Sequence, residues 1–211
     1  MNKYIVELIG TFFLVFTIGS VVIEPGAGAL APLAIGAALM VMVYAGGHIS
    51  GAHYNPAVTL AVLIRGKFDA KDVIPYVIAQ CAGAALAAGA VMYSKGPEVE
   101  VVAADISETL TQVIVAEALF TFALAYVVLN VATAKGTEGN SFYGLAIGLT
   151  VTAGAFAVGG ISGGVFNPAV AVGISIMGLS SWANIWVFVV ANLGAAALAA
   201  LVFMFVNGAE E

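Results

Sequence analysis

The chain has 211 residues, of which 62% are hydrophobic and only 9% charged, and its mean hydropathy is +1.09. A soluble domain carries about 25% charged residues, so 6 basic and 12 acidic side chains cannot cover a water-exposed surface of this size, which excludes an ordinary soluble enzyme; the high apolar content excludes a disordered chain, and 25 glycines without a three-residue period exclude a collagen-like repeat. The net charge of −6 offers no basic patch to nucleic acid, and a single cysteine, Cys81, excludes an internal disulfide or a cysteine metal cage.

Six apolar segments are long enough, or nearly so, to cross about 30 Å of hydrocarbon. In chain order they are 4–23, 30–47, 73–93, 110–132, 142–160 and 182–206. Glu7 interrupts the first, and no A-x-A-like cleavage site follows it, so it reads as a span rather than a signal peptide. Between spans two and three, residues 46–66 are too broken for a crossing; 167–178 are similar between five and six. In each, an asparagine suited to an N-cap precedes a proline suited to the first helical turn, Asn55-Pro56 and Asn167-Pro168. From Pro56 to Arg65 the sequence allows about 15 Å of helix, half a bilayer. Gly46, Gly47 and Gly51, with Gly159, Gly160, Gly163 and Gly164, are expected to carry the non-helical backbone before each asparagine.

Six spans put both termini on one side. Lys3, Arg65, Lys67, Lys71 and Lys135 fall on that side and only Lys95 on the other, so the positive-inside rule places both termini in the cytoplasm. The long polar stretch from Ser94 to Glu108 then faces outward.

The two halves repeat in a constant register. Leu33-Ala34-Ile35-Gly36 recurs as Leu145-Ala146-Ile147-Gly148, Ile49-Ser50-Gly51 as Ile161-Ser162-Gly163, and Asn55-Pro56-Ala57-Val58 as Asn167-Pro168-Ala169-Val170, all at the same offset. Glu7 has a counterpart in Glu117, just short of that offset, so a small gap precedes the second span. The expected repeats are 1–95, with its half-helix about 55–66, and 106–211, with its half-helix about 167–178. Three spans per repeat invert the second copy relative to the first, an architecture of transport proteins whose path lies near the midplane. The fold class is therefore an all-α polytopic membrane protein with six transmembrane helices and two re-entrant half-helices in an inverted 3+3 repeat.

Two half-helix N-termini meeting at the midplane add positive potential there, and Asn55 and Asn167 can each present an amide donor. A neutral solute with a lone pair is held at that point, whereas a cation, a proton included, meets a barrier. Nothing in the pattern supplies a nucleophile, a general base or a cofactor site, so no enzyme activity is expected.

These residues closely resemble the aquaporin and glycerol-facilitator family. The resemblance rests on Glu7-Leu8-Ile9-Gly10-Thr11-Phe12, on Gly47 through Val58, on Ile78-Ala79-Gln80 and on the second Asn167-Pro168-Ala169. It implies a ladder of loop carbonyls from Gly51, Ala52 and His53 and from Ile161, Ser162, Gly163 and Val165. It also implies a homotetramer with one pore per subunit, and glutamates 7 and 117 accepting bonds from the loops. An outer constriction is implied at Ile35, Ala155, Gly164 and Val170. Val170 stands where the family usually has arginine, so a wider and more apolar filter is expected. Asn192 stands where the family usually has proline, and a straighter sixth span is expected.

Two histidines without a nearby acid are poor metal ligands; His48 reads as a tie for the first loop and His53 as an edge of the inner mouth. Glu7 and Glu117, as intramembrane acids, also admit a proton-coupled carrier, and a closed scaffolding protein is a third reading. The preferred reading is a channel in the plasma or cytoplasmic membrane, surrounded by lipid, that passes water and, as candidates, ammonia, glycerol, urea or peroxide, and that excludes ions and protons.

Overall fold

A backbone surrounded by hydrocarbon must satisfy its own N–H and C=O groups, so each long apolar run closes into helix. The computed structural model describes residues 1–208, which form α1 (Asn2–Val22), α2 (Ala31–Ser50), α3 (Pro56–Ile64), α4 (Ala70–Lys95), α5 (Leu110–Thr133), α6 (Tyr143–Ser162), α7 (Pro168–Ile176) and α8 (Ile185–Asn207). The last residues of the expected second repeat, 209–211, lie outside the described residues. Six of these helices are long and apolar enough to cross a membrane, and α3 and α7, at nine residues each, are not. The protein is an integral membrane protein.

The boundaries differ from the sequence reading at one informative place. Helices α2 and α6 continue to Ser50 and Ser162, so Gly46, Gly47, Gly159 and Gly160 are helical rather than part of the path to each asparagine. Both helices stop at a glycine in the left-handed region, Gly51 at φ 83° and Gly163 at φ 85°, whose N–H bonds the carbonyl four residues back. A side chain is strained in that conformation, which is why glycine ends the helix here. The non-helical path is thus only 51–55 and 163–167.

Within those paths the same backbone pattern appears twice. Ala52 (φ 50°) and Tyr54 (φ 49°) are left-handed, and so are their repeat counterparts Gly164 (φ 65°) and Phe166 (φ 47°). Left-handed non-glycine residues cost of order 1–3 kcal/mol each and persist where the surroundings over-determine them.

Packing then crosses the two halves. Helix α3 rests on α8 and α7 rests on α4, so each half-helix leans on a span from the other half. Helices α2 and α6 meet at Gly36 and Gly148, where a methyl on either would lie 2.5 Å from the other's carbonyl oxygen. Only glycine permits that approach.

The start of α1 and the end of α8 lie on one side of the six crossings, the terminal side; the opposite one is the far side. On the far side Lys95 Nζ donates to the carbonyls of Ile23 and Pro25, each at 2.6 Å. The basic residue there thereby satisfies acceptors at the end of α1. The stretch after α4 lies across the far end of α7, with Ala104 N–H donating to Leu179 O at 3.2 Å and Ile106 buried.

Candidate functional site

The two asparagines each do three things. Asn55 and Asn167 have extended backbone at φ −158° and −159°, as an N-cap requires, and their side-chain oxygens accept the N–H groups that open α3 and α7. Asn55 Oδ1 takes Ala57 N–H at 2.8 Å, and Asn167 Oδ1 takes Ala169 N–H at 2.9 Å and Val170 N–H at 3.4 Å. Each amide nitrogen then reaches across to the other half: Asn55 Nδ2 donates to Phe166 O at 2.9 Å and Asn167 Nδ2 to Tyr54 O at 2.8 Å. The reciprocal pair clasps the loops together at the point where the half-helices meet. A carboxamide carries two N–H donors, and the cross-loop bond uses one of them on each asparagine.

Behind each loop stands one buried glutamate. Glu7 Oε1 accepts Ser50 Oγ–H at 2.7 Å and His53 N–H at 2.9 Å; its Oε2 accepts Tyr54 N–H at 2.6 Å and Gln80 Nε2–H at 2.8 Å. Glu117 Oε1 accepts Ser162 Oγ–H at 2.7 Å and Val165 N–H at 2.9 Å; its Oε2 accepts Phe166 N–H at 2.7 Å and Asn192 Nδ2–H at 3.0 Å. Four donors converge on each carboxylate, and the two loop N–H groups among them have no strand or helix partner to satisfy them. The left-handed residues are held by these bonds.

A narrow cavity of about 30 Å³ runs past the asparagines, room for roughly two waters. Every residue lining it belongs to a repeat pair: Leu14 with Leu124, Ile18 with Val128, Ile35 with Ile147, Leu39 with Val151, Val58 with Val170, and 52–55 with 164–167. On the terminal side lies a larger vestibule of about 700 Å³, lined in part by His48, Lys67, Asn140 and Tyr143. His53, Val128 and Ile147 line both spaces and form the neck between them.

Several expected roles shift. His48 lies exposed on α2 at the vestibule and makes no hydrogen bond among the described residues, so it does not tie the loop down. Ser50 and His53 hold the loop instead. Ile161 and Ser162 still belong to α6 and, with Gly163, are absent from the cavity wall. Of the expected ladder, Ala52, His53 and Val165 reach the wall of this cavity and Gly51 does not; Tyr54, Gly164 and Phe166 reach it in addition. Ala155 also stands outside it, its Cα 3.4 Å from where a methyl on Gly164 would sit, whereas Ile35, Gly164 and Val170 line it together with Ile18. At the depth of the asparagines the lining is mostly apolar, and side chains of α1 and α5 complete the ring.

His53 has a defined hydrogen-bonding sense. Thr59 Oγ1–H donates to Asn55 O at 3.1 Å, so its single hydrogen is used, and His53 Nδ1 at 3.1 Å must be the donor to Thr59. Nε2 is then left as an acceptor at the neck. The ring is fixed between Phe68 and Tyr76, with centroids 4.8 and 5.2 Å away. The described residues contain no cluster of His, Cys, Asp or Glu suited to a metal.

A family model described as major intrinsic protein matches residues 1–203. The chain belongs to the major intrinsic proteins. It is 40% identical over 214 residues to a glycerol uptake facilitator protein-like 6 from Lactiplantibacillus plantarum, covering 95% of each chain. It is also 40% identical over 197 residues to an aquaporin NIP1-1 from Zea mays, covering 90% of this chain and 69% of the relative. Its fold matches the X-ray structure of the aquaglyceroporin from Plasmodium falciparum with a TM-score of 0.80 at 22% identity, covering 96% of this chain and 94% of that one. This major intrinsic protein is therefore a membrane channel for small solutes and not an enzyme.

Sequence reasoning about this member of the major intrinsic proteins missed the cavity walls of α1 and α5, the carbonyls of Tyr54 and Phe166, and the two carboxamides on the glutamates. The repeat offset held the signal for Asn192 and for the wall residues Ile147 and Val58, but not for the walls of α1 and α5 or for the two carbonyls. Applying the repeat offset to Ile35 and Val170 returns Ile147 and Val58, and applying it to Gln80 returns Asn192.

Proposed function

We propose that the chain conducts water and small uncharged solutes passively through the cavity at Asn55 and Asn167, and that it excludes ions and protons. The observation that carries this reading is the reciprocal asparagine clasp. It leaves two amide N–H donors and two half-helix N-termini at one point of a narrow apolar passage. A permeating molecule there has its lone pairs engaged by fixed donors, so a chain of waters cannot relay a proton through it, and a cation faces positive dipole ends. Relatives named as a glycerol uptake facilitator and as an aquaporin agree with small uncharged solutes as cargo.

The residues proposed to select solute are Ile35, Gly164 and Val170 toward the far side, while His53 only edges the neck. The inverted repeats 1–95 and 106–211 form one conduit in this reading, four copies assemble with one conduit each, and both termini face the cytoplasm. Five of the six basic residues on the terminal side support that orientation. A proton-coupled carrier draws no support from Glu7 and Glu117, since both carboxylates are engaged by four donors and neither lines the cavity.

Purified protein in lipid vesicles tests this. An osmotic jump followed by light scattering should shrink loaded vesicles faster than empty ones, while an internal pH dye reports no added proton leak. Correctly inserted protein that leaves the shrinkage rate at the empty-vesicle value overturns the proposal.

A further inference from the structure

The family resemblance leaves Asn192 without a role, because the usual residue there, proline, has no side-chain donor. In this chain Asn192 is fully buried in an unbroken α8. Its Nδ2 donates to Glu117 Oε2 at 3.0 Å and to Thr121 Oγ1 at 2.9 Å. Gln80, its counterpart in the first repeat, donates from Nε2 to Glu7 Oε2 at 2.8 Å and to Thr59 Oγ1 at 3.1 Å. The two carboxamides thus grip the same oxygen of the two loop-bearing glutamates. That oxygen also takes the N–H of Tyr54 or of Phe166, the residues whose carbonyls bind Asn167 and Asn55.

The chain of contacts on the far side is short. Asn192 holds Glu117, Glu117 holds the Phe166 N–H, and the Phe166 carbonyl holds the amide of Asn55. We propose that Asn192 is a positioning residue for solute selection: through Glu117 it fixes the backbone of Phe166 at its N–H, and through the carbonyl on the other side of that residue the direction in which Asn55 presents its second N–H to the conduit. This rests on the channel reading above.

Two features argue against a merely tolerated polar residue. Gln80 Oε1 and Asn192 Oδ1 are both buried without a hydrogen-bond partner among the described residues. A buried acceptor left unpaired is costly, and an apolar side chain at either place would remove the cost. Carboxamides nonetheless stand at both, with their donors aimed at the glutamates. The two loops also differ in reserve support. In the first, Thr59 on the half-helix α3 binds Asn55 O, His53 and Gln80. In the second the equivalent residue on α7 is Ala171, and Asn192 finds its hydroxyl on α5 instead. The second loop therefore depends more heavily on the link between Glu117 and Asn192.

The test compares Asn192→Leu, Asn192→Gln and Gln80→Leu in the full chain reconstituted in vesicles. Water and urea permeability are measured by stopped flow, and deuterium uptake by mass spectrometry. For Asn192→Leu the urea-to-water permeability ratio should change about threefold, an ordinary hydrogen bond's net effect. Amide exchange in 163–167 should rise about tenfold while 51–55 keeps its rate. Asn192→Gln, which retains the donor, should restore both, and Gln80→Leu should move its own loop less. Should Asn192→Leu not reach the membrane, Asn192→Ser, too short for Glu117 Oε2, carries the same expectation. An unchanged ratio and unchanged exchange in the donor-free variant, or equal changes in Asn192→Leu and Asn192→Gln, overturn the assignment. Wild-type vesicles that conduct no solute would defeat the channel reading instead, and the exchange pattern would still judge Asn192.

Discussion

The two re-entrant loops share a backbone and differ in their side chains. Residues 51–55 and 163–167 have the same left-handed positions, the same glutamate contacts and the same asparagine cap. Yet the first loop carries His53 and Tyr54 backed by Thr59, and the second carries Val165 and Phe166 backed by Ala171. The bulky residues are packed differently as well. Tyr54 lies against Gly10 and Gly46, where a methyl on either would come within 2.1 Å of its ring or hydroxyl. Phe166 lies against Phe120 and Gly154. Path geometry is therefore set by backbone bonds that do not depend on these side chains, and the side chains are free to make one mouth polar and the other apolar.

Removing the shared element should have the largest effect. Glu117→Leu or Glu7→Leu strands four buried donors, a loss of about 4 kcal/mol, so neither variant should yield folded protein from the membrane. A thermal unfolding curve in detergent near that of wild type would show that the glutamates do not hold the loops. Next come the asparagines. Asn55→Ala and Asn167→Ala each lose a cap and a cross-loop bond, about 2 kcal/mol, with a matching fall in water flux. A marked inequality between them would break the symmetry of the clasp.

Val170→Arg probes the side that differs. Added bulk and charge beside Ile35 and Gly164 should slow urea and glycerol about tenfold more than water, a barrier difference of about 1.4 kcal/mol. Equal loss of all three solutes would place the selecting point elsewhere. The smallest change should come from His53→Val, which copies the second loop into the first. It removes the Thr59 bond, about 1 kcal/mol, and the polar side chain at the neck. Stability should drop slightly while the solute order set at the far side stays the same; a reordered panel of solute rates would move selection to the neck.

Much of this was readable beforehand. The apolar runs predict the six spans, because in lipid a long apolar segment has few structures open to it besides helix. Asn-Pro repeated in register with the rest of each half predicts both half-helices to within a few residues, since cap and first-turn chemistry are local. The place of His48 was not legible for a different reason: the face a helical residue presents depends on which neighbour its helix packs against, and these helices are apolar nearly all round. The roles of Ser50, Ser162, Gln80 and Asn192 depend on spans far apart in sequence bringing donors within 3.0 Å of one buried carboxylate.

Hydropathy, capping residues and the internal offset, all local or countable along the chain, determined that this protein crosses a membrane six times and dips into it twice. The meeting of those dips was decided in three dimensions. It took close glycine contacts between α2 and α6, half-helices leaning on the opposite half, and two glutamates gathering loop N–H groups that nothing within the loops could satisfy. A hydrogen bond between Asn55 and Phe166, or between Asn167 and Tyr54, leaves no periodic trace in a sequence, because its strength comes from distance and direction rather than from order along the chain.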